Sequence, residues 1–202
     1  MDYKLNGLLS QCVFLLMVLE IQWRPVFPAP TPTSCVDDKT ISLTKLLECE
    51  TSWLLGEYIK FHGPFKASVP DEVPDSTVAG VSASEKLQNI YIKNKLFHFH
   101  ISKVEEYQEK DLGNPQSVRQ PLTAVKVRLS HLLYKIEVLM GSDPEILLPT
   151  TPALPQLSQT HDFAKKVYGW GVIVRLKDWL TQVSQVLEKV EKEVCERQRG
   201  KS

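Results

Sequence analysis

The chain has little of what catalytic or nucleic-acid-binding sites are built from. Lysine plus arginine (24) equals aspartate plus glutamate (24), so no basic excess is available to drive binding to a phosphate backbone. Cysteine is scarce, four in 202 residues, and no two form a Cys-x-x-Cys pair, which removes the usual zinc patterns. The histidines do not gather either. His98 and His100 point in different directions on a helix, and His62, His131 and His161 are isolated in sequence. A Gly-rich phosphate loop, a nucleophile elbow and paired zinc ligands are missing, while Glu105-Glu106 and Glu188 with Glu191 read as wet helix faces. The expectation is a protein with no catalytic chemistry and no cofactor, metal or nucleic-acid partner. Without an Asn-x-Ser/Thr site, no N-linked glycan is expected.

No apolar run reaches the ~20 residues that a membrane-spanning helix needs. The longest, Leu8 to Leu19, follows Lys4 and is ended by Glu20, Gln22 and Arg24. Residues 1–24 therefore read as an export leader, which predicts a secreted, extracellular protein with no membrane insertion. Residues 25–37 form a proline-rich tail, and 198–202 a basic one. Loss of the leader removes Cys12 and leaves Cys35, Cys49 and Cys195, an odd number for an exported chain.

What is present is helical periodicity. From Thr160 to Cys195, apolar residues recur at Ile173, Leu176, Leu180, Val183, Leu187, Val190 and Val194, with Val172, Trp179 and Val186 widening the stripe. Three further helices are predicted. The first, 38–61, is capped by Asp37 or Asp38, carries Leu43, Leu46, Leu47, Trp53, Leu54, Tyr58 and Phe61 on its dry face, and stops at Gly63-Pro64. The second, 83–111, opens with the capping-box pattern Ser82 to Glu85 and carries Leu87, Ile90, Phe97, Ile101 and Val104. The third, 116–140, carries Val118, Leu122, Val125, Leu129, Leu132, Ile136 and Leu139 in near-heptad spacing, with Pro121 as an alternative start. The fourth spans 160–196, and 38–197 forms one domain.

Loop lengths set the expected topology. Helices of about 25 residues are roughly 37 Å long. The short Asn114-Pro115 joint can only connect antiparallel neighbours, whereas the proline-rich stretches 64–81 and 142–159 can span a whole helix. Long, short, long predicts an all-α, long-chain four-helix bundle with up-up-down-down topology. That order places Cys35 and Cys195 at the same pole, predicting a Cys35–Cys195 disulfide with Cys49 a free thiol in or near the core. Trp53 and Trp179 sit on dry stripes and are expected in the core. Trp170, between Gly169 and Gly171, reads equally as core or interface. Phe163, Lys165 and Lys166 form an aromatic and basic knob at the start of the last helix, and the two glycines behind it suggest a purpose beyond folding.

The run Phe163-x-Lys165-Lys166-x-x-Gly169-x-x-Val172-x-x-x-Leu176-x-x-Trp179 resembles the start of the fourth helix in the interleukin-6 family, in its branch of ciliary neurotrophic factor, cardiotrophin and cardiotrophin-like cytokine. The segment Tyr58-Ile-Lys-Phe-His-Gly63-Pro64-Phe65 is similar to the close of the first helix there, and Tyr134-Lys-Ile-Glu-Val-Leu-Met140 to the third. The resemblance covers about Lys39 to Trp179. It implies a secreted cytokine, acting as a monomer, that assembles receptors to trigger JAK-STAT signalling. Phe163 and Lys166, with Lys165 and Trp170 beside them, would meet the leukaemia inhibitory factor receptor. The exposed sides of the first and third helices would meet glycoprotein 130. The later half of the fourth helix, including Gln182 and Lys189, would meet an alpha receptor of the ciliary neurotrophic factor type. Gln182 departs from the neurotrophic-factor pattern, which has an arginine there. The rival from another class is a secreted amphipathic lipid carrier, but that should show repeated wide amphipathic units with lysine at their edges.

Overall fold

The computed structural model of the chain describes residues 38–141, 148–149, 159 and 161–199, the last nine as helical backbone. The described residues form four helices, α1 Asp38–His62, α2 Ala83–Tyr107, α3 Gln116–Gly141 and α4 Asp162–Arg199, and contain no strand. A π-helical turn, Gln108–Leu112, continues α2. The described residues form an all-α bundle.

Local chemistry sets the helix ends. At α2, the Ser82 hydroxyl accepts from the Glu85 amide at 3.1 Å while the Glu85 carboxylate accepts from the amides of Val81 and Ser82. At α1, Gly63 adopts a φ of 88°, and its N–H closes on the Ile59 carbonyl at 2.8 Å. The Pro115 carbonyl receives the amides of both Val118 and Arg119, so α3 starts before Pro121 rather than at it. Proline is tolerated there because the carbonyl it leaves without a helical partner belongs to exposed Ser117 in the first turn.

The apolar stripes converge. Ile173, Leu176, Leu180, Val183 and Leu187 of α4 are fully buried, as are Val118, Leu122, Val125, Leu129, Leu132 and Ile136 of α3. Polar ties fix how the helices pass each other. Lys45 pairs with Glu188 at 2.9 Å, Thr181 donates to Glu48 at 2.7 Å, and Tyr58 reaches the Lys166 carbonyl at 3.2 Å, so α1 and α4 run in opposite directions. Tyr91 with Glu137, Asn94 with the Leu129 carbonyl and Glu105 with Lys126 do the same for α2 and α3. Arg128 bonds to Glu50 across α3 and α1, and Phe97 packs on Trp179 across α2 and α4. The crossover after α1 lies along the bundle. Lys93 holds Asp75 and the Thr77 carbonyl, each at 2.6 Å, and the Val78 amide donates to Gln182 at 3.2 Å.

Several expectations change. Trp53 is 40% exposed and Phe61 44%. Trp53 lies about 120° round the helix from Leu47, Leu54 and Tyr58 at the centre of the buried stripe, on the flank it shares with Leu46, which is covered where Trp53 is not. Phe61 sits in the last turn of α1, where its ring packs T-shaped with His62 and lies close to Gly113. In α3 the fully buried terminal position is Met140, with Leu139 only partly covered. Cys49 is disulfide-bonded, not a free thiol. The side chains of Cys35 and Cys195, and with them the expected bridge, lie outside the described residues, as do residues 1–37, where a leader and a proline-rich tail are expected, and 200–202.

The glycines near the start of α4 have a packing reason. A Cβ on Gly169 would stand 2.3 Å from the Tyr58 hydroxyl, and one on Gly171 would stand 2.9 Å from Pro70. Gly56, by contrast, has nothing within 4 Å of where a Cβ would sit. Gly169→Ala should therefore destabilise the fold by about 1–3 kcal/mol through overpacking. Gly56→Ala should stabilise it by about 0.5–1 kcal/mol through helix propensity. Urea denaturation of both variants checks the pair of opposite signs.

Candidate functional site

Among the described residues, Phe163 at the start of α4 is the most exposed large aromatic, ahead of Tyr134 on α3. Phe163 is 70% exposed on the first turn, although the helix beneath it soon enters the core. Phe163, Lys166 and Trp170 follow at i, i+3 and i+7, so they share one flank. Trp170 is half-buried against the core, and its ring stacks on Phe65 at 5.7 Å. Phe65 in turn leans on Tyr58 at 6.2 Å.

Behind this flank lies a buried polar chain. The Tyr58 hydroxyl donates to the Lys166 carbonyl at 3.2 Å and receives the Gln108 amide at 3.4 Å. The Gln108 oxygen meets His62 Nε2 at 3.1 Å, so the ring nitrogen is the donor. Burial pushes the Tyr58 phenol above its ordinary range. Burial holds the His62 imidazole below its own, and the charge of Lys166 adds to that depression while the bond to Gln108 opposes it. Burial thus favours the neutral form of both groups, which link α1, the π turn and α4 by hydrogen bonds.

Lys165 is placed differently from its neighbours. Its ammonium lies 3.0 Å from Asp111 and 3.7 Å from Asp162, above the Tyr107 ring, and its side chain is only 12% exposed. Hydrogen bonding to Asp111 raises its pKa. Gln182 uses its side-chain oxygen to hold the crossover, and Lys189 is exposed. On a helix these two lie about 24 Å and 35 Å beyond Lys166, so they form no single patch with the knob. On α3, Val127, Tyr134 and Val138 make a separate exposed stripe at i, i+7 and i+11, away from the buried positions. The site-forming residues that periodicity did not single out are Phe65, His62, Gln108, Tyr107 and Asp111. The first two lie in the Tyr58–Phe65 segment, whereas the π turn that places Asp111 carries no pattern in the sequence.

Among the described residues, no group of three or more His, Cys, Asp or Glu side chains is arranged to hold a metal, and no helix is long and apolar enough to cross a membrane. Compared with known proteins, the chain matches no family model and no curated sequence.

A second buried pair lies beside the site. His100 Nδ1 and the Tyr168 hydroxyl stand 2.7 Å apart, and Tyr168 meets the Tyr107 ring edge-on. Burial lowers the His100 pKa to about 4, the nearby Glu72 charge opposing it weakly. Between pH 6.5 and 4 the unfolded chain binds this proton and the folded one does not, so stability falls as pH falls through that window. The contribution is complete above pH 6.5, and its loss by pH 4 amounts to something on the order of 3 kcal/mol. In urea midpoints measured against pH, His100→Gln should flatten that slope while retaining a partner for Tyr168.

Proposed function

We propose that the chain is a secreted helical cytokine, a monomer without catalytic activity, that assembles cell-surface receptors of the leukaemia inhibitory factor receptor and glycoprotein 130 type and so triggers JAK-STAT signalling. The single observation that carries the reading is Phe163, 70% exposed on an ordered helix start with Lys166 one turn along. An aromatic side chain that can fill a pocket, beside a cation that can pair with acid at its rim, is a common hot-spot combination. The family resemblance assigns these same two residues to the leukaemia inhibitory factor receptor.

The packing supports an up-up-down-down bundle. α1 and α4 run oppositely, as do α2 and α3, and the end of α1 meets Gln108 just after the end of α2. Each of α1 and α2 packs on both α3 and α4, the arrangement of a bundle with two long crossovers. Trp53 on α1 and the Val127, Tyr134 and Val138 stripe on α3 give glycoprotein 130 an apolar surface to bury. An alpha receptor of the ciliary neurotrophic factor type is a further partner. Lys189 is available to it directly, and Gln182 contributes by holding the crossover that would form part of that face.

Surface plasmon resonance with the leukaemia inhibitory factor receptor ectodomain, and STAT phosphorylation in cells bearing both receptors, test the reading. Phe163→Ala and Lys166→Ala should each weaken binding by roughly 10- to 100-fold, as hot-spot truncations do. Helical circular dichroism should not change. Wild-type protein that neither binds nor signals would overturn the cytokine reading and make vesicle binding, the signature of a lipid carrier, the next measurement.

A further inference from the structure

Lys165 sits between the two proposed contact residues in sequence but not in space. On an α-helix it lies about 200° from Phe163 and 100° from Lys166, so it points behind the knob. There it meets Asp111 at 3.0 Å and Asp162 at 3.7 Å, with the Tyr107 ring centroid 5.7 Å away. The Tyr107 hydroxyl also receives the Gln159 amide at 3.3 Å, just before α4 begins. The π turn determines where Asp111 stands. On a continuous α-helix Asp111 would follow Val104 by seven residues and extend the buried row of Phe97, Ile101 and Val104. The wider turn rotates the chain less per residue, so Asp111 stops short of that row, on the side where Tyr107 lies. Its carboxylate is thereby delivered to the first turn of α4, whose leading amides have no acceptor within the helix.

We propose that Lys165 and Asp111 are positioning residues: their ion pair fixes the first turn of α4 against the end of α2 and thereby sets the direction in which Phe163 and Lys166 project. Tyr58, which holds the Lys166 carbonyl from the α1 side, is the second tie. The ammonium of Lys165 is engaged inside the molecule and touches no receptor. The inference deepens the proposed function and rests on it for the receptor, but not for the ordering of the helix start.

Amide exchange followed by mass spectrometry, run beside ectodomain binding, tests both halves. Asp111→Asn and Lys165→Gln should each speed exchange about tenfold in the peptide covering 162–168 and leave the rest of the bundle unchanged. Both variants should bind the leukaemia inhibitory factor receptor ectodomain about five- to tenfold more weakly. The reversed pair, Lys165→Glu with Asp111→Lys, should recover both readouts. Unchanged exchange in Asp111→Asn overturns the positioning role whatever the binding shows. Recovered exchange without recovered binding in the reversed pair shows that Lys165 touches the receptor itself, which overturns its assignment as positioning only. If wild-type protein does not bind the ectodomain, the cytokine reading fails, and the exchange data still decide whether the ion pair orders the helix.

Discussion

The pole of the bundle depends on one close approach, that of the Tyr58 hydroxyl to the backbone of α4. It is possible because residue 169 has no Cβ, and the gap is filled by a phenol that is itself fully buried. A buried hydroxyl must be satisfied, and this one bonds to the Lys166 carbonyl and to Gln108, linking α1, the π turn and α4 at a single atom. The geometry reaches outward from there. Phe65 packs on Tyr58, Trp170 stacks on Phe65, and Lys166 and Phe163 precede Trp170 on the same flank. The glycine that weakens the helix locally is thus the reason that three elements can share one anchor.

Much of this was legible as periodicity. The stripes of α3 and α4, the capping box at Ser82 and the Gly63 stop all follow from local patterns, and local patterns are what a sequence states directly. Burial that depends on a neighbour was less legible. Trp53 reads as core by residue type and lies on the outer flank, because a stripe has a centre and edges that spacing does not separate. Phe61 continues the heptad from Leu54, but the bundle ends beneath it. Cys49 reads as a free thiol only if the bridge joins cysteines placed at one pole by helix order, and the structure has Cys49 in a disulfide.

The candidate site was legible in part for the same reason. Phe163 and Lys166 stand in the sequence as an aromatic and a base at the head of an amphipathic helix, and their shared flank follows from i, i+3 geometry. Lys165 carries the same charge and stands one residue closer; spacing turns it off the flank of Phe163, but nothing in the sequence says what it meets there. Its partner Asp111 is supplied by the fold, and the position of Asp111 comes from a π turn. The turn leaves no periodic trace because it is a single local departure from the period. Gln182 is similar: a polar residue on a wet face in the sequence, a loop anchor in the fold.

Along α4, stability and exposure are separated by position. From Val172 to Val190 the helix is held by its apolar stripe, and a substitution there changes the core. From Asp162 to Lys166 it is held by a carbonyl and an ion pair, interactions that fix direction while burying little apolar area. An exposed phenylalanine is more easily accommodated at such a place, because the folded state gains nothing from covering it and loses nothing when it is covered by something else. The apolar surface left open on Phe163 is free energy that folding does not collect and that association can. A helix start held rigid by polar ties keeps the entropic cost of that association low, since the side chains that would meet a partner already have a fixed base to project from.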